Sequence, residues 1–326
     1  MKLSRNGTMK VLVLGGTRLL GLAVVRQLEA VGDDVTLISR SEAVVPRSVR
    51  CIRALRSDGL CQVSAEQFDV VIDFLAYDGA SAREALAAAQ DAKYVLISST
   101  WMVRLGNGIR ADQLVYRPSD AVIQKLPELT RKYLLGKFEA ECVVAESLSR
   151  RQQSAIMRMP VFWGKGEHTG RIRFYSQRIM DGKPLLLVAG GQNLTQIAWT
   201  EDIASAFAAW LRLNGKSDCL VWEGLPHDGI EVRAVIADIA VGLGQSLTFE
   251  SIDSSLLKKR LPEYLDAEPL WRERLIDITP SNIFSITATQ LTPQSKWLPP
   301  CCADAVGDAR MDLRSRELKL LGRNMA

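Results

Sequence analysis

Residues 11–21 read VLVLGGTRLLG: four aliphatics, a pair of glycines, then a segment with helical spacing. A buried strand that runs into glycines and opens a helix is the phosphate-cradling turn of dinucleotide folds. Gly15 permits the tight turn, free N–H groups at the helix start face a pyrophosphate, and Gly21 lets helix and strand approach closely. The register is GxxGxxG with Arg18 in place of the middle glycine, so charge stands where glycine supplies only space. Leu20, Val24 and Leu28 then recur every fourth residue, and Gly32 is placed to cap the helix.

Outward from this turn, the runs DVTLIS, DVVIDFLA, YVLISS and SAIMRM alternate with segments at helical spacing as far as Met159. That rhythm predicts stacked βαβ units: an α/β, Rossmann-like, doubly wound parallel sheet. It changes after Pro160, where GKGEHTG and VAGGQN carry loop chemistry through 161–193. QIAWT, EDIASAFAAWLRL, DCLVWEG, a helix near Val232 to Val241 and a strand LTFESI follow. The expected organisation is a flexible leader over 1–8, with Met9 a second candidate start. An NAD(P)-binding domain covers 9–160 plus about 194–225. A smaller C-terminal substrate-binding lobe covers about 161–193 plus 226–302, and 303–326 is a tail forming a basic-ended helix.

Composition narrows the function. The chain has 326 residues, 47% apolar and 24% charged, which excludes disorder and disulfide-built miniproteins. Its +4 net charge is spread along the chain, so no nucleic-acid partner is expected. Six cysteines form no CxxC pair and two histidines stand far apart, arguing against a metal centre and for a reducing, cytoplasmic setting. No apolar run approaches the length of a membrane span, so no membrane partner is expected either.

Tyr133 and Lys137 sit four residues apart in YLLGK, which places both on one helix face. Leu134, Phe138, Ala145 and Leu148 supply the apolar stripe, with Glu139, Glu141 and Glu146 expected to fall away from it. Upstream, YVLISST leads a strand into hydroxyls at the edge where open parallel sheets gather ligands, so Thr100 is placed to bind a reacting oxygen. A phenol titrates near pH 10, and about two to three units of depression, roughly 3 to 4 kcal/mol, would make it a useful base at neutral pH. The ammonium of Lys137 is suited to that task. The second strand ends at Ser39 and Arg40, where NAD-preferring folds place an acidic residue on the ribose 2′-hydroxyl. With an arginine there, helped by Arg18, the expected cofactor is NADP, with NAD the alternative.

Together these residues resemble the extended or atypical short-chain dehydrogenase/reductases, the NAD-dependent epimerase/dehydratase family with a GGTR-type glycine motif. The resemblance runs through about residues 9–255 in the order GGTRLLG, Arg40, DVVIDFLAY, YVLISST, YLLGKFEAE, MRMPVFWGKG and QIAWTEDIA. It implies that Thr100 is the active-site hydroxyl, Tyr133 the acid/base and Lys137 its partner. It implies further that Gly15, Thr17, Arg18, Leu19, Leu20, Gly21, Arg40, Leu75, Ala76, Ser98, Lys137, Pro160 and Val161 hold the cofactor.

The implied activity is an oxidoreductase or isomerase acting on a nucleotide-sugar by 4-keto reduction or epimerisation, in a protein able to form a homodimer. The family's VYG turn is replaced by Trp101, Met102, Val103 and Arg104, and the loop from Leu105 to Thr130 is longer than usual, a candidate lid. No Asp-Glu pair follows Thr100, which disfavours dehydration. For the substrate, the second lobe offers Arg171, Arg173, Lys183, Trp163 and Tyr175, although solvated charges and core aromatics are the plainer reading of each. Two alternatives stay open: a non-catalytic NAD(P)- or RNA-binding member of the same fold, and a reductase of a non-sugar small molecule.

Overall fold

The computed structural model describes residues 7–42, 44–101, 123–124, 126, 128–148, 154–213, 221–224, 226, 229–270, 282–302 and 311–320. The chain divides into two compact units, one over 1–162, 200–225 and 276–291, the other over 163–199, 226–275 and 292–326.

The first unit is built on seven parallel strands: β1 (Lys10–Leu14), β2 (Asp34–Ser39), β3 (Arg50–Arg53), β4 (Val70–Asp73), β5 (Lys93–Ser99), β6 (Ser154–Met159) and a last strand, Val221–Glu223. Their spatial order is Val221–Glu223, β6, β5, β4, β1, β2, β3, so the winding reverses between β1 and β4. Leu14 stands opposite both Ile38 and Asp73, and Asp73 opposite Leu96. The carboxyl ends are therefore level. The glycine turn, the turn after Asp73 and Thr100 all leave the sheet along one edge, at the switch point where such sheets bind ligands.

Strands covered on both faces read as unbroken apolar runs. Val11, Leu12, Val13 and Leu14 are buried, as is every residue of β6. The flanking helices are α1 (Leu19–Ala30), α2 (Arg56–Gln62), α3 (Gly79–Ala89) and α4 (Glu128–Leu148). Ala82 and Ala85 of α3 and Ala140 of α4 join the core with Leu12, Tyr94 and Ile156, their small side chains letting both helices lie close to the sheet.

Three features depart from the sequence reading. β3 and α2 went unforeseen, because RCIR buries only Ile52 and RSDGLCQ carries little apolar periodicity. Segment 161–193 contains a helix, Arg171–Met180, and a strand, Leu185–Val188. That helix hides in sequence because a charge sits on its inward face: Arg178 is buried against Glu317 of the C-terminal helix Met311–Leu320. Glu141 of α4, expected on the solvent side, is wholly buried, while Phe138 is half-exposed. The expected loop Leu105–Thr130 lies mostly outside the described residues, and α4 already begins at Glu128.

Candidate active site

Gly15 and Gly16 both take positive φ, +83° and +93°, a region L side chains rarely occupy. A Cβ on Gly15 would meet Leu75 Cγ at 2.8 Å, and one on Gly21 would stand 2.3 Å from Gly16 Cα. The close approach at Gly21 is thus helix to turn, and Gly16, which the spacing rule passes over, is its other half. α1 starts with neither a side-chain hydrogen bond at its N-cap, Arg18, nor an acidic residue in its first turn. Its leading N–H groups suit a pyrophosphate. The Arg18 side chain is exposed, Thr17 and Leu19 are half-buried, and the Leu20 side chain is in the core.

Beside this turn lies a cavity of about 200 Å³ lined by Thr17, Leu37, Ser39, Ser41, Glu42, Cys51, Ile52 and Arg53. Ser39 Oγ donates to Thr17 Oγ1 at 3.5 Å and accepts from Ser41 N at 3.1 Å. Glu42 is ion-paired with Arg53. Arg40 is exposed and does not line the cavity, so the charges at this end are Arg53 and Glu42, both missed in the sequence. Glu42 lies two residues beyond Arg40, past the strand-end position where NAD-preferring folds carry their acid.

The turn after β4 is held from within. Asp73 is fully buried; its carboxylate takes two bonds from Arg56 at 2.5 and 2.9 Å, one from Tyr94 Oη at 2.8 Å, and the N–H groups of Leu75 at 2.8 Å and Ala76 at 2.9 Å. Leu75 is thereby laid over Gly15, joining two of the residues expected around the cofactor. Tyr77 follows. Its carbonyl lies against Gly136 of α4, where a Cβ would come within 1.9 Å of the oxygen, so only glycine admits this contact.

On α4, Lys137 is 3% exposed, and its Nζ donates to the carbonyls of Ala76 at 2.9 Å and Ile97 at 2.8 Å. Tyr133 is 37% exposed, with its ring 6.3 Å from that of Tyr77. Burial pulls the Lys137 ammonium down to about 8, against the opposing pull of the Asp73 and Glu141 carboxylates. Thr100 is wholly buried at the end of β5. Its N–H donates to Met159 O at 2.9 Å, but its hydroxyl finds no partner among the described residues.

Ser98, expected near the cofactor, donates instead to Glu141 at 2.5 Å, and Glu141 pairs with Arg158 at 2.7 Å in a fully buried cluster. Pro160 and Val161 are buried directly after β6. In the second unit, Trp163 and Tyr175 are fully buried, as core aromatics are. Among the described residues, no helix is long and apolar enough to cross a membrane.

A doubly wound parallel sheet, a glycine turn opening an uncapped helix, and an orphaned threonine hydroxyl along the same edge define the class: a dinucleotide-dependent enzyme on a Rossmann-type sheet. Residues 11–219, more than half of the chain, match the model of the NAD dependent epimerase/dehydratase family, and the chain belongs to that family.

It is similar to 2'-dehydrokanamycin reductase of Streptomyces kanamyceticus, 37% identical over 98 residues and 28% of each chain. It is similar also to the chloroplast stem-loop binding protein of 41 kDa b of Arabidopsis thaliana, 25% identical over 223 residues, 63% of this chain and 55% of that protein. The matches thus span about half, or less, of these relatives. Among solved structures, UDP-glucuronic acid 4-epimerase from Bacillus cereus in complex with NAD superimposes with a TM-score of 0.67 at 14% identity, covering 91% of this chain and 96% of that one. That likeness is one of fold.

Proposed function

We infer that the protein catalyses reversible transfer of a hydride between a nicotinamide and a sugar carbinol carbon, with Tyr133 moving the hydroxyl proton. The observation that carries this reading is the Thr100 hydroxyl, buried and without a partner among the described residues, at the end of the strand whose Ile97 carbonyl holds Lys137. An unmet buried hydroxyl is costly unless a ligand oxygen completes it. Bound at this edge, the nicotinamide supplies the hydride acceptor or donor.

The roles we assign match each residue's setting. Thr100 orients the substrate oxygen. Tyr133, partly open to solvent, takes or returns its proton. Lys137 places a positive charge beneath the pair and eases the phenol toward phenolate. Gly15, Gly16 and the start of α1 receive the pyrophosphate, and Leu75 and Ala76 cover the cofactor's flank.

The substrate we assign is a nucleotide-sugar, either epimerised or reduced at a ketone. Its epimerase side draws on the UDP-glucuronic acid 4-epimerase fold, its reductive side on the kinship with 2'-dehydrokanamycin reductase. NADP remains our assignment because the Arg53 guanidinium lines the cavity beside the glycine turn, where it can pair with a 2′-phosphate. A preference for NAD is the second reading, favoured by the Glu42 carboxylate in that same cavity. Tyr133→Phe tests the chemistry: turnover should vanish while cofactor affinity, followed by fluorescence, stays nearly unchanged. Activity within about tenfold of the parent would remove the tyrosine from the reaction. Arg40→Asp and Glu42→Gln, each assayed with both cofactors, decide the 2′ end.

A further inference from the structure

Tyr77 takes no part in the reading above, yet it touches both members of the reacting pair. Its ring centroid lies 4.8 Å from Lys137 Nζ and 6.3 Å from the Tyr133 ring, at an interplanar angle of 53°. Both contacts are fixed by backbone. The Tyr77 carbonyl sits on Gly136, Gly79 packs against Glu139 and Val143, and Ala76 O accepts from Lys137. The turn after β4 therefore clasps the one stretch of α4 that carries Tyr133 and Lys137.

Lys137 is otherwise poorly placed to stay charged. Buried from water, it has two carbonyl partners, the Asp73 and Glu141 carboxylates draw its proton in, and the Arg56 guanidinium pushes it out. The negative face of an aromatic ring within about 6 Å adds attraction that strengthens where water is excluded. The Tyr77 phenol itself stays neutral, since its partial desolvation and the Asp73 carboxylate both raise its proton affinity.

We propose that Tyr77 is a positioning residue for the reacting pair: its ring holds the Lys137 ammonium in its charged form and fixes the tilt of the Tyr133 ring. This rests on the reading of Tyr133 and Lys137 as the reacting pair, but it is tested without substrate.

The experiment is a pH titration of the lysine side-chain 15N signals of the full chain, with Lys137 assigned by comparison with Lys137→Met. The parent should titrate near 8. Tyr77→Phe, which keeps the ring, should titrate with it, whereas Tyr77→Leu should fall by roughly half a unit to one unit. Tyr77 is 53% exposed, so both variants should fold, and Tyr77→Met serves as a second ring-free variant if Tyr77→Leu does not. A ring-free variant titrating with the parent, or Tyr77→Phe falling alongside Tyr77→Leu, overturns the proposal. Because the titration needs no turnover, either result stands apart from that of Tyr133→Phe.

Discussion

The Nζ of Lys137 lies 2.9 Å from the carbonyl oxygen of Ala76, whose own N–H is held at 2.9 Å by the Asp73 carboxylate. A buried ammonium is thus tied through a single residue to a buried carboxylate, and the turn between them is the one that covers Gly15. The turn over Gly15 and the setting of Lys137 are fixed by the same few bonds.

Burial of Lys137 has a consequence for stability. Its proton affinity is lowered from 10.5 to about 8 in the folded state, so between those values the unfolded chain binds more protons than the native one. Stability contributed by this group is therefore lowest below pH 8 and is recovered as pH rises toward 10.5. Comparing the parent with Lys137→Met isolates the effect: their difference in unfolding free energy should grow in the parent's favour by up to about 3 kcal/mol across that window. Urea unfolding at a series of pH values measures it, and a flat difference would show that the lysine titrates as if exposed.

Glu141 and Arg158 form an ion pair with both partners essentially inaccessible to solvent. Removing one charge strands the other, at a cost of roughly 3–5 kcal/mol, whereas replacing both with apolar residues of similar volume is often close to neutral. Glu141→Gln and Arg158→Met should each be strongly destabilising, while Glu141→Leu with Arg158→Met should recover much of the loss. A double variant as unstable as the sum of the singles would argue that the pair holds β6 and α4 in place by more than mutual neutralisation.

Much of this was legible in the sequence. β1, β2, β4, β5 and β6 announce themselves because strands buried on both faces carry short, mainly apolar runs, and the glycine turn reads directly from GGTRLLG. What stayed hidden depends on pairing at a distance. Glu141 is polar at a position that faces the core, and it is Arg158 and Ser98, on different elements, that make this tolerable. Arg178 masks a helix for the same reason. Tyr77 was passed over because periodicity says nothing about a turn residue, and its relation to Tyr133 and Lys137 exists only once α4 docks.

That docking is itself open to test at Gly136. A methyl there would stand 1.9 Å from the Tyr77 carbonyl oxygen, and backbone cannot give way as the far end of a side chain can. Gly136→Ala should cost roughly 1–3 kcal/mol by overpacking, even though alanine is the better helix former. It should also weaken turnover, because α4 must move away from the turn that carries Ala76 and Tyr77. A thermal melt and an activity assay on the same sample would separate the two effects; an unchanged melting temperature would mean the helix does not lie against this turn.

Cys51 offers a direct report on the cavity beside the glycine turn. It lines the cavity, whereas Cys61, also exposed, does not, so the second thiol serves as an internal control. Burial raises the Cys51 thiol above its ordinary value, so alkylation is best followed at mildly alkaline pH, where the thiolate that reacts is populated. If the cavity receives the adenosine side of the dinucleotide, cofactor at about a hundred times its dissociation constant should slow labelling of Cys51 roughly a hundredfold while leaving Cys61 unaffected. Peptide mass spectrometry of a timed reaction reads both sites at once. Protection at lower concentrations of NADP than of NAD would place a 2′-phosphate beside Arg53, and the reverse order would assign the site to Glu42 and a free hydroxyl. Equal labelling of Cys51 with and without either nucleotide would mean that the cofactor lies elsewhere.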